Sequence, residues 1–240
     1  QEALDAAVSY VLAHELFHIA QAQYHTPSWL TFSLEGFEIE DIWWREATAV
    51  WFGALFSPVR AGAEMKPDSS CLASSLTREE CKYENGSFAS YLADQFGDEI
   101  IRETWEWYGE NPEDPTWLTT LDHVLSGHDS SLPDEFCRYA VAFAVPGRGW
   151  QQIMDLGRPE TGSFLLGQGP MKLPDDAAEA GTETVSMDVP PLAVGLVGFE
   201  AMSAGELRIT AAPANPGTPA NWRAYAFAQR GGSWQDASAC

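Results

Sequence analysis

The sequence is poor in positive charge. It holds 13 lysine and arginine residues against 35 aspartate and glutamate residues, and its net charge is −22. Such a chain is repelled by nucleic acids and by anionic membrane surfaces, so we expect neither as a partner. The acidic residues are scattered, which favours an ordinary solvated surface over a dedicated site for calcium or cationic substrates. No apolar run approaches the roughly 20 residues that a membrane-spanning helix needs.

Cysteine is also scarce, and the four cysteines lack the C-x-x-C pairs of many zinc motifs. Cys71 and Cys81 lie ten residues apart in a segment rich in serine and charge, which favours a local disulfide. Cys137 and Cys240 would then form a second one, although four cysteines allow three pairings and four reduced thiols are the alternative. An even count without metal spacing indicates a secreted or extracytoplasmic protein.

The sequence also lacks the pattern of a signal peptide, and it begins with glutamine. We therefore expect that a leader has been removed or that the chain is a segment of a longer precursor. The oligomeric state is left open. No G-x-S-x-G motif and no P-loop is present, so neither a serine hydrolase elbow nor a nucleotide-binding loop is indicated.

The first two thirds of the sequence have helical patterning. Residues 2–24 contain no glycine or proline, and apolar residues recur there at helical spacing: Val8, Val11, Leu12, Phe17 and Ile19. Pro27 ends this pattern. Similar patterns bounded by glycine, proline or capping residues predict further helices over residues 39–56, 87–96, 98–108, 115–125 and 131–145.

The amino-acid composition changes after about residue 157, where glycine and proline become frequent. Short segments separated by turns predict strands over residues 182–189, 192–201, 206–211 and 222–229. We therefore predict an α+β fold, with a mainly helical domain over residues 1–157, a linker over 158–181 and a small β-sandwich-like module over 182–240.

One motif carries recognisable chemistry, the segment His14-Glu15-Leu16-Phe17-His18. On a helix, His14 and His18 share one face and can bind one metal ion together. Glu15 lies about 100° around the helix from His14, where it can reach a water on the metal rather than the metal itself. A zinc ion lowers the pKa of such a water to near 7, and Glu15 can accept its proton. The alternative is a solvated helix face with two incidental histidines.

A catalytic zinc site needs a third protein ligand. The metzincin pattern would place glycine at position 21 and histidine at 24, but this chain has Gln21 and Tyr24, and His25 is one residue out of frame. We expect Glu46 instead, since a lone carboxylate among bulky apolar residues is costly to bury without a partner. That partner is a metal or, alternatively, a cation such as Arg45. The weaker candidates lie in a more polar stretch: Glu35, Glu38 and Glu40.

The motif helix, followed by the segment Trp44-Arg45-Glu46-Ala47-Thr48-Ala49, resembles the gluzincin arrangement over roughly residues 8–56. The later stretch over residues 83–97 is similar to uncharacterised secreted bacterial metalloproteases, which also tend to have a β-rich C-terminal part. The resemblance implies a zincin-like catalytic domain over residues 1–157 and Zn²⁺ held by His14, His18 and Glu46.

The chain departs from the gluzincin pattern in two places. Val50 stands where thermolysin-like members have an aspartate that orients the first histidine, so Asp41 or a backbone carbonyl would have to replace it. The β-sheet that usually precedes the motif helix is also missing, unless Trp29–Leu34 forms a reduced version. Zincins often stabilise the oxyanion with a tyrosine or histidine. We expect Tyr83 in that role, ahead of Tyr24, Tyr91, His123 and His128.

These observations predict a zinc-dependent peptidase that uses Glu15 as general base and acts on a peptide or protein substrate. Two alternatives stay open. One is a non-catalytic binding or adhesion module built on a degenerate zincin with a structural metal. The other is a metal-dependent hydrolase that acts on a substrate without a peptide bond.

Overall fold

A computed structural model of the protein describes residues 2–24, 42–57, 71, 75–111 and 116–144 and four short strands beyond them. The helices within these ranges are α1 (Glu2–Tyr24), α2 (Ile42–Phe56), α3 (Gly86–Phe96), α4 (Glu99–Glu110), α5 (Trp117–Gly127) and α6 (Leu132–Ala144). A 3₁₀ turn, Glu79–Cys81, precedes α3. The bounds predicted for α1 are confirmed, and those of the other helices are confirmed to within a few residues. None of the described helices is both long and apolar enough to cross a membrane.

Helix α2 lies at the centre of the helical core. Its Trp43 and Trp44 are fully buried, and Trp44 Nε1 donates a hydrogen bond of 3.1 Å to Thr104 Oγ1 on α4. The core continues through aromatic contacts between α4 and α5, where the Trp105 and Trp117 rings are 4.6 Å apart. Large aromatic side chains contribute most of the apolar area that such a core buries. A rigid aromatic core therefore holds α2 and Glu46 in place.

Helix α1 buries a different face from the one that its apolar pattern suggests. The face in contact with the rest of the helical core includes Tyr10, Ala13, His14 and Gln21, all buried. In contrast, the apolar side chains from which the helix was predicted are mostly about half exposed or more, namely Val8, Val11, Leu12 and Ile19. The face that packs against α2 is thus the one that presents the two histidines of the motif.

Two glycines allow α1 to approach its neighbours closely. A Cβ atom at Gly53 of α2 would lie 2.8 Å from the buried Tyr10 ring and 3.2 Å from the Tyr10 carbonyl oxygen. A Cβ atom at Gly109 of α4 would lie only 2.1 Å from the Tyr24 carbonyl oxygen, at the end of α1. Since a backbone atom cannot rotate away as a side chain can, Gly109 sets how close α1 lies to α4.

Replacement of Gly109 by alanine should therefore destabilise the protein. Alanine improves helix propensity by about 1 kcal/mol, but forcing an extra methyl group into a packed contact costs about 1–3 kcal/mol. We expect a net loss of up to about 2 kcal/mol, seen as a lower urea midpoint with an unchanged m value. Gly127→Ala is the matched control, because nothing lies within 4 Å of a Cβ atom there. A Gly109→Ala midpoint equal to that of Gly127→Ala would contradict the close approach.

A disulfide joins Cys71 to Cys81, with an S–S distance of 2.12 Å, which is the pairing that the ten-residue spacing favoured. The segment that follows is further held by Asn85, whose side-chain amide donates a 2.7 Å hydrogen bond to the Leu76 carbonyl. Cys137 has no disulfide among the described residues. Cys240 lies outside them, so the second pairing stays a prediction.

The predicted α+β fold with a C-terminal β-sandwich-like module is wrong. Helices dominate the described residues, and the part of the chain described beyond α6 consists of four short strands: β1 (Met171–Lys172), β2 (Phe199–Glu200), β3 (Phe227–Arg230) and β4 (Ser233–Asp236). Strands β1 and β2 pair in parallel, and β3 and β4 form an antiparallel pair. These pairs contain two strands each, and among the described residues they do not form the two facing sheets that enclose a sandwich core.

The physical reason is that a short alternating segment specifies an extended backbone locally but not the partner strands that make a sheet. Strand β2 falls within the predicted strand over 192–201, and β3 overlaps the one over 222–229. The predicted strands over 182–189 and 206–211, most of the linker over 158–181, and Trp29–Leu34 lie outside the described residues. The domain limits at residues 157 and 181 stay predictions.

Candidate metal centre

The antiparallel packing of α1 and α2 brings three candidate ligands together. His14 Nε2 and His18 Nε2, one helical turn apart on α1, are 3.1 Å from each other. Glu46 Oε2, in the first part of α2, lies 3.4 Å from His14 Nε2 and 3.6 Å from His18 Nε2. These are the three side chains in the described structure that could hold a metal ion together. The predicted ligands therefore converge on one point.

The separations of these atoms fit a tetrahedral ion. Zinc binds imidazole nitrogen at about 2.0–2.1 Å and carboxylate oxygen at about 2.0–2.2 Å, so neighbouring ligand atoms of a tetrahedral site are about 3.4 Å apart. The observed separations of 3.1, 3.4 and 3.6 Å surround that value. The donor set of two imidazoles and one carboxylate is also one that zinc accepts. The described residues thus fill three of the four positions of such a site, and the His18 and Glu46 side chains are partly exposed.

The electrostatics of the cluster also suit a cation. Burial by itself raises the pKa of Glu46, but hydrogen bonds with His14 and His18 and the charge of both rings hold it well below its ordinary value. Burial likewise lowers the pKa of His18, yet hydrogen bonds with Glu46 and Gln21 and the Glu46 charge leave it raised. Glu46 is therefore ionised, and a metal would displace a proton that the cluster otherwise attracts.

The outer contacts of the two histidines differ. His18 Nδ1 lies 2.7 Å from Gln21 Oε1 on the same helix. His14 Nδ1 is buried and has no hydrogen-bond partner among the described residues. Val50, at the position where the resemblance would place an aspartate, is fully buried on α2. The predicted substitute, Asp41, lies outside the described residues.

Sequence reasoning missed Gln21. The sequence comparison treated Gln21 only as a mismatch to the metzincin pattern. In the structure it is buried, and it follows His18 by three residues. The available signal was that spacing, since residues i and i+3 on a helix are neighbours. A large amide on the same helix face as two histidines is unusual in a core and indicates a polar partner.

Glu15 and Tyr83 are the two residues predicted to act beside the metal ligands. Glu15 is exposed on α1, next to His14 in the chain. Tyr83 lies in the turn between the disulfide and α3, and its ring centroid is 6.4 Å from that of His14. The ring is 42% exposed, and the Lys82 ammonium lies 5.3 Å from its centroid. The Tyr83 ring thus lies near a candidate ligand, whereas Glu15 adjoins His14 along the chain, and the roles predicted for both stay predictions.

The other residues considered for the oxyanion role have different surroundings. The Tyr91 hydroxyl donates a 2.9 Å hydrogen bond to the buried Glu135 carboxylate. His123 stacks on Trp107, and His128 Nε2 is 2.7 Å from Glu103 Oε2, both in a surface groove between α4 and α5. Tyr24 ends α1. The alternative ligands lie outside the described residues: Glu35, Glu38 and Glu40.

Residues 3–146 match a family of unknown function, DUF6055. This match spans all six helices and therefore includes His14, Glu15, His18, Glu46 and Tyr83. No curated protein and no solved structure matches the chain. Because the matched residues make up more than half of the sequence, the chain belongs to the family DUF6055.

Proposed function

We propose that this protein is a zinc-dependent peptidase whose metal is held by His14, His18 and Glu46. The observation that carries the proposal is the convergence of these three side chains at separations that fit tetrahedral zinc, on a helix where an exposed glutamate, Glu15, follows His14 in the sequence. The two histidines and that glutamate come from one five-residue motif, while Glu46 comes from a separate helix. Two independent parts of the chain therefore support the same chemistry.

Each remaining residue has a specific task in this proposal. Zinc, when bound, would lower the pKa of a bound water to near 7 and polarise the scissile carbonyl. The Glu15 carboxylate accepts the proton of the attacking water and then returns it to the nitrogen of the leaving amine. The Tyr83 hydroxyl donates a hydrogen bond to the oxyanion that develops on the carbonyl oxygen.

The arrangement favours a catalytic site over a structural one. Structural zinc sites are closed by four protein ligands, whereas catalytic sites use three and keep one position for water or substrate. Three candidate ligands converge here among the described residues. A structural site would also have no use for a carboxylate beside the first histidine.

The second candidate function, a binding module with a structural metal, is favoured by one observation. His14 Nδ1 is buried without an acceptor among the described residues, and Val50 stands where the resemblance would place an aspartate. Outer contacts of this kind normally fix a histidine ligand and raise its basicity. A degenerate site would lack this outer acceptor for His14. A measurement of peptidase activity therefore distinguishes the two functions.

The test measures metal content and cleavage on the same preparation of the full chain. We expect about one zinc per chain, cleavage of casein or of a mixed peptide library, loss of cleavage with a chelator and recovery with added zinc. His14→Ala should lose the metal, whereas His123→Ala, the same change outside the cluster, should keep it. Zinc without cleavage would favour the binding module, and cleavage of esters but not peptides would favour another hydrolase. A chain that binds no zinc contradicts the ligand assignment.

A further inference from the structure

We propose that Gln21 is a positioning residue that holds His18 in the tautomer with its proton on Nδ1, so that the Nε2 lone pair faces the metal cluster. The metal part of this inference rests on the proposed function, while the tautomer concerns the chain alone. It starts from a side chain that is only 3% exposed and whose amide contacts both α1 and α2.

The orientation of the Gln21 amide follows from its partners. Its nitrogen lies 3.0 Å from the Arg45 carbonyl oxygen, which can only accept a hydrogen bond. The same nitrogen lies 3.0 Å from Thr48 Oγ1, and the Thr48 hydroxyl proton is directed to the Trp44 carbonyl at 2.9 Å. Two acceptors therefore face one end of the amide, and that end must be the NH₂ group.

The other end of the amide is then the oxygen, which lies 2.7 Å from His18 Nδ1. Because an amide oxygen cannot donate, His18 Nδ1 must carry the proton. In the neutral ring this leaves Nε2 unprotonated, 3.1 Å from His14 Nε2 and 3.6 Å from Glu46 Oε2. A metal-binding histidine needs this tautomer, since the lone pair is the ligand.

The contact also links the two helices that supply the ligands. Gln21 is on α1, while its acceptors, the Arg45 carbonyl and the Thr48 hydroxyl, are on α2 beside Glu46. Trp105 Nε1 of α4 donates to the same hydroxyl at 3.4 Å. The Gln21 amide therefore fixes the orientation of the His18 ring. It also fixes the position of α1 along α2 next to the cluster.

Gln21→Met tests the inference, because methionine has similar length and lacks the strong donors and acceptor of the amide. In ¹⁵N-labelled, metal-free full-length protein at alkaline pH, long-range ¹H–¹⁵N spectra show which ring nitrogen carries the proton. We expect His18 as the Nδ1–H tautomer in wild type and a shift toward Nε2–H in Gln21→Met. Zinc affinity, measured by competition with a chromophoric chelator, should fall by about 10–100-fold.

Two further variants separate positioning from packing. Gln21→Glu keeps an acceptor oxygen for His18 and should retain the Nδ1–H tautomer, with zinc affinity nearer to wild type than that of Gln21→Met. Thr104→Val removes a buried hydroxyl that pairs with Trp44 Nε1 and should leave the tautomer and zinc affinity unchanged. An identical His18 tautomer in wild type and Gln21→Met overturns the inference. A wild-type protein that binds zinc without cleaving peptides refutes the peptidase proposal alone. If the wild type binds no zinc, the tautomer spectra alone decide whether Gln21 positions His18.

Discussion

A Glu15→Gln variant should bind zinc as tightly as wild type and cleave peptides at a rate lower by about 10²–10⁴-fold, the range typical for loss of a general acid–base group. Glutamine keeps the size of the side chain but cannot accept the proton of the attacking water. The metal should remain because the three ligand atoms, on His14, His18 and Glu46, are unchanged. The measurement is kcat with metal content determined on the same samples.

Glu110→Gln serves as the matched control for this variant, because it makes the same change at an exposed glutamate on α4, away from the ligands. It should keep both zinc and activity. A Glu15→Gln protein that cleaves at the wild-type rate would show that another group accepts the proton. Loss of zinc in this variant would instead indicate that Glu15 is a ligand.

A Glu46→Gln variant should lose most of its zinc affinity. Apparent binding free energies of structural zinc, about 10–16 kcal/mol, are shared by about four ligands, so weakening one is expected to lower affinity by about 100-fold or more. The amide is neutral, whereas the two histidines hold the pKa of the Glu46 carboxyl low and keep it charged. Isothermal titration or chelator competition would measure the change.

The control is Glu103→Gln, the same substitution at another carboxylate that contacts a histidine, His128 at 2.7 Å. Its zinc affinity should match wild type, which excludes a general effect of breaking a carboxylate–histidine pair. If Glu46→Gln binds zinc normally, the third ligand lies elsewhere, and the polar stretch that contains Glu35, Glu38 and Glu40 becomes the place to search.

Helix positions were predictable because helices leave local signals in a sequence. The absence of glycine and proline over residues 2–24, the recurrence of apolar residues there and the break at Pro27 predicted α1 at its observed bounds. Which face α1 buries was not predictable from its apolar residues. The neighbours it packs against lie far along the chain, and a close approach at Gly53 selects the face that contains Tyr10 and His14. Tertiary contact, rather than hydrophobic periodicity, decides that choice.

The metal ligands could be predicted from the sequence, but the residue that positions one of them could not. A histidine pair at i, i+4 followed by a glutamate has a recognisable spacing, because metal geometry constrains it. The spacing of Gln21 from His18 indicates only that the two are neighbours on the helix, since a glutamine can hydrogen-bond in many settings and its role depends on carbonyl and hydroxyl groups of α2. The C-terminal prediction failed for a related reason, because strand pairing is non-local and short strands do not specify their partners.

The position of the ligands on two helices has a consequence for the chain as a polymer. His18 and Glu46 belong to segments separated by residues 25–41, so an ion bound to both would close a loop and act as a removable cross-link. Because the ligands come together only in the folded chain, a bound ion stabilises the fold by mass action, by about 2.7 kcal/mol at a free concentration 100 times its Kd. The concentration of free metal would then determine how firmly the N-terminal helix is held against the core, in addition to whether the site can react.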